Sequence, residues 1–159
     1  MMPENSESRE NKLVTIICRS IGRPVLKKAL DSICAQSYAP IEVVVINSAG
    51  KPLDNLLPND FKITLLNQKD ALSRPEAANA GIDAANGYFL LFLDDDDYIS
   101  SDHVANLVSK IQSDSSIRAV YSGVQKVSSH EKLLDEVYST EFDPFLLMRD
   151  NYIPIHSML

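Results

Sequence analysis

Apolar and polar positions change their rhythm several times along this chain, and each change predicts an element. Leu13 to Cys18 ("LVTIIC") is short, β-branched and almost wholly apolar, the pattern of a strand covered on both faces. "GRP" follows, and Pro24 suits the first turn of a helix. From there Val25, Leu26, Ala29, Leu30 and Ile33 recur at helical spacing. "IEVVVI" (Ile41 to Ile46) repeats the buried-strand pattern and stops at "NSAG". Lys51 to Asp60 carries two prolines and reads as a loop, after which "KITLL" (Lys62 to Leu66) makes a third strand. Ser73 suits an N-cap with Pro75 in the first turn, predicting a helix from Pro75 to Ala85 that ends at Asn86-Gly87. "YFLLFL" then gives the most apolar strand. Val104, Leu107, Val108 and Ile111 mark another helix, "RAVYSGVQKV" a further strand region, and "FDPFLLMRD" an amphipathic stretch that suits a capped surface helix. The closing "NYIPIHSML" has the look of one more strand beginning.

Strands that alternate with helices, built on continuous apolar runs, predict an α/β fold with a mostly parallel sheet and helices on both faces. In such sheets ligands bind beyond the carboxyl ends of the strands, and Cys18, Asn47 and Asp94 fall at those ends. The first twelve residues are polar and mixed in charge, so residues 1–12 are expected to be a disordered tail and 13–159 the folded domain.

Composition narrows the partners. A chain of 159 residues with 45% hydrophobic and 23% charged residues fits one globular domain. Its net charge of -7 argues against nucleic acid, and an anionic ligand would need a bound cation or well-placed arginines. Two cysteines, Cys18 and Cys34, form no metal-type pair and suit a reducing compartment. The longest apolar runs are about half a membrane span, so no transmembrane segment is expected.

Against that background "FLLFLDDDDY" stands out, because four adjacent carboxylates follow directly on the most buried strand. Alternate carboxylates in a tight turn can converge on a hard cation such as Mg²⁺ or Mn²⁺, which takes one or two carboxylates plus phosphate oxygens and water. The plainer alternative is a solvated acidic loop that caps the next helix. His103, His130 and His156 have no ligand spacing and read as surface or packing residues, and neither a calcium loop nor a glycine-rich phosphate loop is present.

The order "VTII…RP…AL.SI..Q.Y..IEVVVI", then "AAN.GI.AA.G", then "FLDDDD" resembles glycosyltransferase family 2, enzymes of the GT-A fold that use nucleotide sugars. The likeness runs from about Leu13 to Tyr98 and weakens afterwards. It implies a metal-dependent transferase that moves the sugar of a nucleoside-diphosphate sugar, a UDP-sugar by preference, with inversion. The acceptor, saccharide, lipid-linked or protein, stays open. By position Asp94-Asp95-Asp96 looks like the family's Asp-x-Asp motif, with Asp94 and Asp96 on an Mn²⁺ or Mg²⁺ ion and Asp94 and Asp95 reaching the ribose. Cys18, Arg19, Ser20, Asn47, Ser48, Arg74 and Asn79 would line the nucleotide; Asp97 is either an added acid or a helix cap.

The chain departs from the family in three places. "CRSIG" stands where Pro-Thr-Tyr-Asn is usual and is one residue longer, Asn47-Ser48-Ala49-Gly50 replaces Asp-Asp-Gly-Ser, and Ala78 replaces the Arg of Ala-Arg-Asn. Asn47 presents both a donor and an acceptor where an Asp would only accept, which leaves the base open, and Arg19 or Arg74 would supply the charge beside the diphosphate. The likeness also implies a cytoplasmic or membrane-peripheral enzyme. Its general base and acceptor site are expected beyond Leu159, with an exposed apolar edge that favours self-association into a homo-oligomer. The rival readings are a donor-binding module or fragment without catalysis, and a nucleotidyltransferase, which would normally show a Gly-rich signature near the first strand.

Overall fold

The computed structural model describes residues 11–53, 61–128, 130, 132–156 and 158. Most of the predicted N-terminal tail and the later part of the predicted loop at Lys51–Asp60 lie outside the described residues. Asn11 and Lys12 are described, and both are tied to the fold: Asn11 Nδ2 donates to Ala39 O at 2.9 Å, and Lys12 O accepts from the Tyr38 hydroxyl at 2.6 Å.

Four parallel strands form the sheet, in the order β3-β2-β1-β4: β1 (Val14–Ser20), β2 (Ile41–Asn47), β3 (Ile63–Asn67) and β4 (Phe89–Asp94). Helix α1 (Leu26–Cys34) carries the chain from β1 outward to β2, while α2 (Arg74–Ala84) carries it back across β1 to β4. The direction of winding therefore reverses between β1 and β4, which is where open α/β sheets leave a crevice for ligands.

The two faces follow from the two-residue period of each strand. Val14, Ile16 and Cys18 of β1, Val43 and Val45 of β2, and Phe89, Leu91 and Leu93 of β4 form one core with Leu26, Leu30 and Ile33 of α1 and Val104, Leu107 and Ile111 of α3 (His103–Ile111). The opposite parity, Ile17, Val44 and Ile46, packs under α2 through Ala77. At about 1.5–3 kcal/mol for each large side chain buried, these faces supply most of the drive to fold. Helix α2 sits so low on the sheet that a Cβ at Gly81 would collide with Ile17 Cγ2 and Ile46 Cδ1. Its start is fixed as the sequence predicts: Ser73 and Glu76 form a reciprocal capping box, with Pro75 in the first turn.

Past α3 the pattern changes. The expected strand region at Arg118–Val127 divides, with Val120 forming an isolated bridge and only Val124–Val127 a strand, β5, which pairs antiparallel with β6 (Leu133–Tyr138). Helix α4 (Pro144–Arg149) buries no residue and is capped by Asp143, which accepts from Phe145 N and Leu146 N. The chain then returns: Met158 is fully buried, bridges Leu91 of β4, and exchanges two 2.9 Å backbone hydrogen bonds with Val120. Among the described residues the closing run adds one residue to the sheet, Met158, antiparallel to Leu91.

Candidate functional site

The carboxyl ends of β1, β2 and β4 open into a cleft of about 270 Å³ at the reversal point. Register alone brings the first pair together, since Arg19 lies opposite Asp94 on neighbouring strands. Asp94 Oδ1 accepts from Arg19 Nε at 3.1 Å and from Nη2 at 2.6 Å, while Nη1 reaches Arg74 O at 3.5 Å. Arg19 is 13% exposed and Asp94 30%. Strand β4 then ends in a turn closed by Asp97 N donating to Asp94 O at 3.1 Å.

Asp95 has a different task. It is 1% exposed, and both of its oxygens are taken. Oδ2 accepts from Ser20 Oγ at 2.7 Å and Ile21 N at 3.2 Å; Oδ1 accepts from Arg23 Nε at 2.9 Å and also from Nη2. This carboxylate fastens the loop after β1 to the turn after β4. A buried carboxylate with several donors is strongly held, and losing one partner there costs more than losing a surface pair. Gly22, at φ +78°, lets the loop turn back onto it. Asp96 is 51% exposed and accepts one bond, from Arg23 Nη1 at 2.8 Å to Oδ2. Burial, then the charges of Asp96 and Asp94, pushes the Asp97 carboxyl above the usual carboxylate range. The repulsion within the acidic run is thus relieved by two arginines.

Of the candidate residues, Arg19, Ser20, Ser48, Arg74, Asp94 and Asp96 line the cleft, and Asp95 lines it with both oxygens already engaged, which leaves neither for a ribose. Three others do not. Cys18 lies inside β1 and not at its end, because the strand runs on to Ser20; its thiol is fully buried in the core and pushed up to about 12, first by burial. Asn79 is on the exposed side of α2 and lines no part of the cleft. Asn47 is buried with its amide committed: Nδ2 donates to Lys51 O at 2.6 Å and Asn67 Oδ1 at 2.8 Å, and Oδ1 accepts from Ala49 N at 3.1 Å. It shapes the loop after β2.

Arg23 was missed. The tripeptide "GRP" signals only a helix start, whereas the extra residue in "CRSIG" relative to the family could have directed attention to the whole loop. His103 and His156 lack ligand spacing, and the structure packs the two buried rings against each other, centroids 5.9 Å apart, with no hydrogen-bond partner among the described residues at His103 Nε2 or His156 Nδ1.

The sequence profile described as "Glycosyl transferase family 2" matches residues 13–156. The chain belongs to glycosyltransferase family 2. Among similar proteins is the uncharacterized glycosyltransferase YwdF of Bacillus subtilis (strain 168), 30% identical over 112 residues, which are 69% of this chain and 40% of YwdF. Another is the glycosyltransferase GlyA of Streptococcus pneumoniae serotype 4, 34% identical over 105 residues, 61% of this chain and 15% of GlyA. The chain thus spans less than half the length of these family 2 relatives. Among solved structures, the mannosyltransferase PcManGT from Pyrobaculum calidifontis, in complex with GDP-Man and Mn²⁺, superposes with a TM-score of 0.65 at 26% identity, covering 74% of this chain and 37% of that one. S. aureus TarS 1-349 in complex with UDP-GlcNAc shares the fold, with a TM-score of 0.52 at 21% identity over 64% of this chain and 31% of that one. The parallel sheet with helices on both faces is accordingly a GT-A fold.

Proposed function

We propose that the cleft binds a nucleoside-diphosphate sugar together with Mn²⁺ or Mg²⁺, in a transferase that passes the sugar to an acceptor with inversion. The observation that carries this reading is the meeting of Arg19, Arg74, Asp94 and Asp96 at the winding reversal of a GT-A sheet. PcManGT, of the same fold, is solved with a nucleotide sugar and Mn²⁺.

The residues fit a cation shared with phosphate. Among the described residues no three His, Cys, Asp or Glu side chains gather into a closed cage. A phosphate-bound ion needs only one or two carboxylates, and Asp94 and Asp96 each use a single oxygen for an arginine. Asp94 and Asp96 would hold the ion, which when bound supplies charge neutralisation for the departing diphosphate. Arg19 and Arg74 would orient the diphosphate through guanidinium N–H donors, whose fork matches phosphate oxygens. Ser20 and Ser48, whose hydroxyls are tied to Asp95 and to Ser20 O, would keep the cleft wall in place. Inversion calls for a general base on the far side of the sugar to take the acceptor's proton, and the family likeness implies an Asp or Glu there. The carboxylates that line the described cleft are Asp94, Asp95 and Asp96, all bound to arginine, so we place the base outside it. Because the chain spans 40% or less of the relatives compared above, a donor-binding part without transfer activity of its own is the second reading. No helix among the described residues is long and apolar enough to cross a membrane.

Calorimetry with UDP and GDP, each with Mn²⁺, Mg²⁺ or chelator, tests the reading. Binding is expected only with the cation, and Asp96→Asn should remove most of it while leaving the fold intact. Equal affinity in chelator, or full binding by Asp96→Asn, would overturn it.

A further inference from the structure

Two arginines neutralise the acidic run, and they are held very differently. Arg19 has both Nε and Nη2 on one carboxylate oxygen, a third contact to Arg74 O, and little exposure. Arg23 is 42% exposed and its guanidinium is split between two carboxylates of opposite character. The Nε and Nη2 edge is bound to Asp95, which is buried and further held by Ser20 and Ile21. The Nη1 corner is bound to Asp96, which is half exposed and has no other hydrogen-bonding partner among the described residues. An exposed pair is weak because water screens it, whereas a charge paired with a buried carboxylate is strongly retained. If the guanidinium must release one end, it releases Asp96.

We propose that Arg23 competes with the divalent cation for Asp96 and, when it yields, stays tethered to Asp95 and turns its freed Nη1 toward the diphosphate. The inference rests on the reading of the cleft given above and adds a residue to it. Two unlike facts support the competition. A guanidinium keeps its charge at any working pH, so Arg23 must move to relieve repulsion from a cation arriving at Asp96. The loop gives it little freedom to leave altogether, because Pro24 fixes the next φ and the preceding Ser20 and Ile21 are both bonded to Asp95. What remains is rotation of the side chain about its anchor on Asp95. Arg23 is thus a positioning residue for the cation and, once released, a contact for the nucleotide.

The predicted signature is a pair of changes of opposite sign. In the full chain, Arg23→Gln should bind Mn²⁺ alone about threefold more tightly, measured by electron paramagnetic resonance, because a screened competitor is gone. The same variant should bind UDP in saturating Mn²⁺ about tenfold more weakly, since a charge-assisted hydrogen bond is lost. A purely structural role for Arg23 would weaken both. Arg23→Lys keeps a charge for Asp95 but an ammonium cannot span both carboxylates, so it should also tighten Mn²⁺ binding; it decides the matter if circular dichroism shows Arg23→Gln unfolded. Unchanged or weaker Mn²⁺ binding in the folded variants overturns the competition while wild-type binding of Mn²⁺ and UDP leaves the reading of the cleft intact. Failure of the wild-type chain to bind either would overturn both.

Discussion

The region from β1 to α3 and the stretch between Val120 and Met158 are built on opposite principles. In the first, strand residues of both parities are buried and helices press on each face of the sheet. In the second, five of the six residues of β6 are exposed, α4 buries nothing, and Phe142, Phe145 and Met148 lie open to solvent. The first is held by packing between distant residues; the second takes its shape from local devices, a hairpin ladder and the Asp143 cap, and is joined to the first where Met158 bridges Leu91 of β4 and where His156 packs on His103 of α3. A polar substitution should therefore cost much on one side of that divide and little on the other.

The most damaging test strikes the junction. Met158→Ala removes a fully buried side chain and should lower stability by about 2–5 kcal/mol in urea denaturation. Hydrogen exchange should also show early loss of protection at Val120; full protection there would mean that the outer stretch holds itself. Asn47→Asp tests a polar residue on the sheet side. A carboxylate would face Lys51 O and Asn67 Oδ1, where an amide now donates, and about 1–3 kcal/mol should be lost. Rotation of Asn67 to offer its amide would reduce this toward zero.

A smaller effect should come from pH. Burial holds the pKa of both His103 and His156 below the ordinary 6.5, so folding favours their neutral forms. The contribution is fully present above pH 6.5 and declines as pH falls beneath it, because the unfolded chain takes up protons first. The carboxylates of Glu42, Glu76 and Asp102 have lowered values, so what they contribute is lost only below about pH 4.5. A decline in melting temperature between pH 6.5 and pH 5 that flattens in a His103→Gln, His156→Gln protein would assign it to this pair, one from α3 and one from the outer stretch. The smallest change is expected from Asp143→Ala. It should cost α4 about 1 kcal/mol locally and leave the global urea midpoint unmoved. A shifted midpoint would show that α4 is coupled to the sheet.

The same divide explains what could be read from residue order. The strands of the sheet and the helices α1, α2 and α3 follow from β-branched runs and helical spacing, since each is patterned by the core that covers it. The acidic turn was legible too, because charge directly after a buried strand is unusual. Where structure depended on distant partners, the sequence was silent: Val120 and Met158 each look like part of a longer strand, and only the bridges from Leu91 of β4 to Met158 and from Met158 to Val120 select one residue from each. Asn47 reads as a group facing a base until Lys51 and Asn67 are seen to occupy it. Arg23 could be placed before a helix, but its division between Asp95 and Asp96 depends on a turn more than 70 residues away in the chain.

The mutual hydrogen bonds of Val120 and Met158 bring the two ends of a long segment together. Directly opposed residues on antiparallel backbones lie about 4.5–5.5 Å apart, so the segment between them leaves and rejoins the sheet at almost the same place. Such a segment is an exchangeable cassette. An insert with similarly spaced ends that keeps a residue packed on His103 of α3, as His156 now is, could be spliced in with little disturbance of the sheet, which is the geometry that lets domain insertions succeed. Chimeras joined at residues 120 and 158 would be the natural way to exchange the cassette while the strands that carry Arg19 and Asp94 stay as they are.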